Sequence, residues 1–334
     1  MKKYLLANTK NAYKANLHAH TNISDGKLSP EELKALYKSN GYSVVAYTDH
    51  DLFIPHPELT DSEFIALSGV EVQFNGSNCY PGVPGEKKCH ICLIAKSPDT
   101  VEQPCWREDY AYIGNAAKHR DRVRFCKDSY GFTREYSPAC INKLVSIAKK
   151  EGFFATYNHP AWSLEGYEQY IHYSEFDALE IYNTACEMLG YTSSCPGIYD
   201  DMLRNGRRVF AVAADDVHGG VDDCFGGFVM IKADELEYTA VTEALANGDF
   251  YASTGPLFRE IYMEDGKLYI RTSDVVWIGL TTDGRRSKCV HSANGEALNE
   301  AVFLLNFDCR YFRITVRDAR GNFAYTNAFF AEGV

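Results

Sequence analysis

The chain has 334 residues, 46% of them hydrophobic, and a formal net charge of −11. That length suits one large core plus a smaller one, and the acidic balance argues against a stable duplex nucleic-acid footprint. No run approaches the roughly 18 apolar residues of a membrane-spanning helix, and the opening MKKYLLANTKNAYK lacks the apolar stretch of an export signal, so the expected location is cytoplasmic.

In chain order, β-rich runs alternate with helical ones. Strands are expected at 15–20, 43–48, 64–72, 90–95, 152–159, 178–183, 209–215 and 227–231. Several are almost continuously apolar, as strands covered on both faces are. The clearest helix lies within 28–41. Ser29 is its N-cap, Pro30 its first residue, Glu32 the capping-box partner and Gly41 its stop. The same scheme recurs within 137–152, ending at Gly152, and two more helices are expected within 197–206 and 233–249. Repeated strand–helix–strand units imply an α/β fold with a parallel sheet, closed or nearly closed as a barrel.

The rhythm breaks twice. Residues 97–137 are too long for an ordinary connection and read as an insertion with a helical excursion, a candidate lid. Beyond Pro256 the helical pattern stops. Alternating strands follow, punctuated by Asp265-Gly266, Asp283-Gly284 and Arg320-Gly321, and read as a small antiparallel β-domain. The expected division is therefore 1–256 and 257–334. Eleven cysteines, an odd number, read as reduced and mostly buried thiols. Cys89 and Cys92 form a C-x-x-C, but on a strand they face opposite sides, which argues against a redox or zinc pair.

Metal-capable residues gather at strand ends: His18, His20 and Asp25 around the first strand, His50 after the second, and Glu71 on the third. His90 opens its strand, His159 closes another, and Asp216 and His218 follow the strand at 209–215. In a parallel barrel the carboxyl ends of the strands share one face, so residues distant in sequence converge. H-x-H and D-x-H on strands point both side chains the same way. Taken singly, each of these histidines is an ordinary satisfied residue. Six imidazoles and three carboxylates at corresponding places would be costly to bury without a cation. His90 stands apart because it precedes its apolar run. Either its strand extends upstream or it sits lower in the barrel.

As a set, these residues resemble the PHP (polymerase and histidinol phosphatase) superfamily. That pattern runs H-x-H, an acid or His, D-H, Glu, His, His, D-x-H, and all nine places are filled here. The resemblance covers roughly residues 14–255, and TDHD, LEIYN, DDVHG and STGP look like its stand-alone phosphoesterase branch. It implies a distorted seven-stranded (β/α) TIM-like barrel followed by a β-sandwich-like domain, holding two or three divalent ions of manganese, zinc or iron. His18, His20, Glu71 and Asp216 would hold the first. Glu71 would bridge to a second ion held by His90 and His159, and Asp25, His50 and His218 would hold the third. The implied reaction is hydrolysis of a phosphate monoester or diester by a metal-activated hydroxide, with Asp25, His50, Glu71 and His218 nearest the chemistry. The substrate would be small and phosphorylated, with nucleotides among the candidates. The alternatives are a 5′-directed exonuclease on short oligonucleotides and a metal-retaining binding module without turnover.

Substrate contacts are expected from Asp51, Glu180 and Asn183 at strand ends, and from Arg120 and Arg124 in the insertion, where a guanidinium could clamp phosphate. Asp49, Asp51 and Asp215 flank expected ligands and could orient an imidazole.

Overall fold

In the computed structural model of the chain, residues 2–80, 83–220, 222–293, 295–305 and 308–333 are described. Strands β1 (Lys3–Tyr4) and β2 (Tyr13–Asn16) precede helix α1 (Pro30–Ser39). Then come β3 (Val44–Tyr47), the long pair β4 (Ile65–Tyr80) and β5 (Val83–Ala95), α2 (Pro138–Lys150) and β6 (Phe153–Asn158). Next are α3 (Tyr167–Tyr170), β7 (Ala178–Asn183), α4 (Thr184–Met188), α5 (Pro196–Arg204), β8 (Phe210–Ala214), β9 (Phe228–Ile231), α6 (Tyr238–Asn247) and β10 (Phe250–Ser253). The remainder is β-structure: β11 (Phe258–Glu264), β12 (Lys267–Val275), β13 (Trp277–Thr282), β14 (Lys288–His291), β15 (Leu298–Leu304), β16 (Tyr311–Arg317), β17 (Phe323–Thr326) and β18 (Phe329–Phe330).

Local chemistry sets the helix ends as expected. At α1 the Ser29 hydroxyl accepts from Glu32 N–H at 3.2 Å, and Ser29 N–H donates to the Glu32 carboxylate at 2.8 Å. This closed capping box satisfies two donors that the first turn would otherwise leave open. Ser137 caps α2 in the same role.

The strands form a fourteen-stranded sheet in the order β14-β13-β16-β17-β10-β9-β2-β3-β4-β5-β6-β7-β8, with β18 on β16, and a four-stranded sheet β1-β11-β12-β15. Two expectations change. First, the β2–β8 run is mixed rather than all parallel: β5 pairs antiparallel with both β4 and β6. Second, the closed seven-stranded barrel is not laid down as a continuous ladder. The far edge returns to the near one through one parallel bridge, Ala19 to Val217. It is flanked by His20 N–H donating to the Val217 carbonyl and Asp216 N–H donating to the His18 carbonyl, both at 3.0 Å. The two ends of the run thus meet at the segments that carry the expected ligands.

Burial follows layer position. Strands β3 and β6 are buried along their whole length, as strands covered on both faces are, whereas β12 alternates buried and exposed residues. One core packs Val44, Ile65, Leu67, Val212 and Val229 between the strands. Another packs Ile261, Ile270, Ile278, Ile314 and Val316 between the C-terminal sheets. The N-terminal strand β1 pairs with β11, so Lys3 and Tyr4 extend the C-terminal four-stranded sheet. The segment 97–137 holds four 3-10 turns instead of the expected α-helical excursion.

Candidate metal centre

His18 and His20 follow β2 and flank Ala19 at its bridge, so their rings share one side. Asn16 fixes this segment. Its amide donates to the His18 carbonyl at 2.9 Å, and its Oδ1 accepts from Asp215 N–H at 3.0 Å. The loop that carries Asp25 is clamped by Asp49, which accepts from Thr21 N–H, Ser24 N–H and both hydroxyls. Gly26 lets this loop pass close to the strand end, since a Cβ there would lie 2.4 Å from the His20 carbonyl oxygen. The antiparallel direction of β5 explains His90. The strand does extend upstream, to Val83, so His90 lies within it, and it pairs with Gln73 of β4 on one side and with Asn158, the last residue of β6, on the other.

All nine expected ligands converge. The Asp216 Oδ1 lies 3.1 Å from Nε2 of both His18 and His20, which are themselves 3.1 Å apart. Glu71 lies at the centre. Its Oε1 is 3.2 Å from His18 Nε2, 3.2 Å from His90 Nδ1 and 3.3 Å from His159 Nε2, and its Oε2 is 3.1 Å from His50 Nδ1. Asp25 faces His50 Nε2 at 3.6 Å and His218 Nε2 at 3.7 Å.

The grouping is looser than three separate sets. His20 also sits with Asp25, His50 and His218, and His50 also sits with Glu71 and His90. Non-glycine residues in the left-handed backbone region cost energy and collect at functional sites. His159 (φ 24°) and Asp216 (φ 57°) are both there.

Glu71 Oε1 has hydrogen-bond partners in Asn158, His90 and His159, but other atoms at the centre have none. Glu71 Oε2, Asp216 Oδ1, His20 Nδ1, His50 Nδ1 and His90 Nε2 are buried and have no hydrogen-bond partner. Lone pairs at 3.1–3.5 Å that do not bond one another are aimed at shared points between them, the spacing of ligand atoms about 2.0–2.2 Å from a common cation. The donor set of imidazoles and carboxylates therefore fits divalent transition-metal ions.

Electrostatics shows the same tension. Burial alone would depress the His18 and His20 imidazoles. The Asp216 and Glu71 carboxylates override it, lifting His18 well above its ordinary value and His20 to about 9. Burial and the neighbouring His20 charge push His50 down to about 3. Burial would raise Glu71, but the surrounding imidazoles, His18 foremost, hold it well below the carboxylate range.

Outer partners fix ring orientation. Glu180 Oε1 accepts from His18 Nδ1 at 3.0 Å, and its Oε2 accepts from His159 N–H at 2.9 Å. Asn183 donates to Glu180 at 2.9 Å and to Asp216 at 3.2 Å. Both residues, expected to touch substrate, are buried and hold ligands in place. His218 Nδ1 donates to the Asp216 carbonyl at 2.7 Å, leaving Nε2 for the centre. Asp215 accepts from Tyr37, Thr184 and three backbone N–H groups at 225–227. Asp49 and Asp215 thus shape loops and do not orient an imidazole.

Asp51 is fully buried and paired with Arg134 at 2.6 Å, and it does not line the cavity over the centre. Arg124 is exposed and Arg120 donates to the Ala111 carbonyl at 2.9 Å; neither lines the cavity over the centre. Arg120 sits in the 3-10 turn at 120–122, and Arg124 lies beyond it. Cys92 sits beside His18 and Glu71, while Cys89 lies in the core on the opposite face, as strand alternation predicts. Burial pushes the Cys92 thiol up to about 11, and the ten described cysteines are all free.

Seven of the nine residues line a cavity of about 420 Å³, with His18 and His20 beneath. Its other walls include Lys88, Ile113, Trp162 and Leu189, which the sequence reading did not single out. Ile113 comes from the insertion. Beside it, Gly114 approaches the Asp25 loop so closely that a Cβ would lie 2.2 Å from the Ser24 carbonyl oxygen. The expected lid segment therefore supplies part of the site wall.

No family model matches the chain, and no curated protein matches it. Among solved structures it is similar to a two-domain Bacteroides vulgatus protein containing a predicted PHP-like metal-dependent phosphoesterase. The identity is 13% over 98% of both chains, with a TM-score of 0.44. It is also similar to a candidate metal-dependent phosphoesterase from Bifidobacterium adolescentis (18% identity, 61% of this chain and 87% of that one, TM-score 0.38). A third is an amidohydrolase from Chromobacterium violaceum with bound sulfate and no metal (16%, 62% and 88%, TM-score 0.37). Two of the three bear the name of the activity that the nine-residue pattern implies. Overlays this loose carry no argument about chemistry, which rests on the residues themselves.

Proposed function

We propose that this protein is a metal-dependent phosphoesterase of the PHP type, hydrolysing phosphate esters of a small substrate. The observation that carries the reading is the convergence of nine buried or half-buried ligand residues that leave five buried polar atoms, Glu71 Oε2 and Asp216 Oδ1 among them, without a hydrogen bond. Divalent ions bound there would make water a nucleophile near neutral pH and neutralise charge on phosphate oxygens.

The chain's own residues do the rest. Glu180 and Asn183 hold His18, His159 and Asp216 in position. Asp25 and His218, about one-third exposed, stand at the mouth, where they can take or return a proton as substrate enters and leaves. Lys88 offers positive charge to a phosphate, and Trp162, Ile113 and Leu189 offer apolar surface to the organic part, a nucleoside among the candidates. The reading includes two or three ions of manganese, zinc or iron, a cytoplasmic location, and a catalytic region (1–256) followed by a structural β-region (257–334).

A screen of phosphorylated metabolites against manganese-loaded protein, with metal analysis in parallel, tests it. Hydrolysis of at least one phosphate ester is expected, abolished by chelation and by His20→Ala. Equal hydrolysis after both treatments would refute the reading.

A further inference from the structure

Next to the main cavity, behind Gln73, lies a smaller one of about 90 Å³ lined by Asp51, Gln73, Asn75, Tyr110, Tyr112 and Arg134. Gln73 lines both cavities and is the wall between them. Side chains alternate along a strand, so Glu71, Gln73 and Asn75 of β4 form one row on one face. Each step of that row is about 7 Å. The metal centre sits at Glu71 and the small cavity one step outward.

The Arg134 side chain is only 3% exposed, and its guanidinium is half used. Nη1 donates to Asp51 Oδ1 at 2.6 Å and to the Gln73 carbonyl at 3.0 Å. Nε and Nη2 are buried with no partner. These two nitrogens form one edge of the planar group, with parallel N–H bonds that match the two oxygens of a carboxylate or phosphate. Leaving two charged donors buried and unbonded is costly, more than for any neutral group in the cavity. The Tyr110 ring, 4.2 Å from Arg134 Cζ, stacks on the guanidinium and fixes its plane. Tyr112 Oη accepts from Gln73 at 2.8 Å and from Asn75 at 3.2 Å, which leaves its own proton free to donate. The cavity thus presents these donors, together with two buried acceptors that also lack partners, Asp51 Oδ2 and Gln73 Oε1, to a space large enough for several waters.

We propose that this cavity is an anion subsite, in which the Nε–Nη2 edge of Arg134 and the Tyr112 hydroxyl take a second oxyanion carried by the substrate one strand step from the reacting phosphate. The proposal deepens the phosphoesterase reading and rests on it for the position of that phosphate. It assigns the substrate to compounds with two separated anionic groups, a carboxylate or second phosphate being the distal one.

The test measures binding to manganese-loaded protein by calorimetry, using 4-phosphonobenzoate and 1,4-phenylenediphosphonate against the neutral-ended 4-phosphonobenzamide. Wild type should bind at least one of the two dianionic probes about tenfold or more tightly than the amide, as a charge-assisted pair warrants. The probe preferred shows which oxyanion the subsite takes. Arg134→Lys keeps a counter-charge for Asp51 but loses the fork, and should cut the preference to roughly threefold or less. If that variant does not fold, the double change Arg134→Met with Asp51→Asn removes both charges and should show the same loss. Arg124→Met, at an exposed position that lines neither cavity, should leave the preference in place.

Equal binding of all three probes to wild type, or no binding, overturns the proposal. So does a preference retained without Arg134, or one lost in Arg124→Met. Hydrolysis of phenyl phosphate by the same preparations separates the two claims. Selective binding without hydrolysis sinks the phosphoesterase reading alone, and hydrolysis without selectivity sinks the subsite alone.

Discussion

Around Glu71, several buried nitrogen and oxygen atoms, Glu71 Oε2 and His50 Nδ1 among them, stand at hydrogen-bonding distance from one another yet remain unbonded. Around Arg313 in the C-terminal β-region, the same kinds of atoms are paired. Nε and Nη2 donate to the two Asp200 oxygens at 2.7 and 2.8 Å, and Nη1 donates to the Thr315 hydroxyl. Both clusters are buried charge. One is complete within the chain, and the other becomes complete only when something binds. That contrast, more than the number of histidines, separates a site from a structural tie.

The comparison can be broken in several ways. The largest effect is expected at Glu71, which touches five of the six ligand imidazoles. Glu71→Gln should cost on the order of 10³-fold or more in phosphate ester hydrolysis and lower the bound-metal count, read by steady-state kinetics and elemental analysis. Glu180→Gln should weaken metal binding about 10–100-fold while leaving the ligand set intact, as outer partners do. A chelator titration would measure it, and unchanged affinity would show Glu180 to be ordinary core.

Arg313→Met should instead destabilise the fold by about 3 kcal/mol, the low end for breaking a buried pair because Asp200 is partly exposed and keeps Arg204 at 3.9 Å, with no change in metal stoichiometry. Denaturant unfolding of the metal-loaded protein checks it. A loss of metal there would erase the distinction between the two regions.

The smallest effect is in the pH dependence. His18 and His20 are raised above 6.5, so in metal-free protein they stabilise fully below that value, and the stabilisation is lost as pH climbs through their folded values, about 9 for His20. Bound cations need the neutral rings, so their contribution grows over the same range. The difference in Tm between metal-loaded and metal-free protein should therefore widen from pH 6.5 to 9. A constant difference would mean that these rings do not hold the ions.

Much of this was legible locally. The Ser29 and Ser137 caps, the glycine stops and the nine ligand positions depend on spacing and residue type within short windows. What failed was nonlocal. His90 looked misplaced because strand direction is not written in its own strand. Only the upstream extension of β5 to Val83 and its antiparallel pairing bring His90 beside Asn158 at the end of β6. Arg120 and Arg124 drew attention as a basic run, yet neither lines the cavity. Arg134 carried no local signal, because its partners Asp51, Gln73 and Tyr110 lie far from it in sequence. Glu180 and Asn183 were read as site residues from their place at a strand end, but facing the ligands rather than the cavity depends on neighbours that β7 alone does not reveal.

The most direct measurement is anomalous diffraction from crystals soaked in manganese. The account predicts ions between His18, His20, Glu71 and Asp216 and on the far side of Glu71 towards His90 and His159, with Arg313 and Asp200 unchanged. Manganese bound elsewhere, with the Glu71 cluster rearranged into ordinary hydrogen bonds, would contradict it.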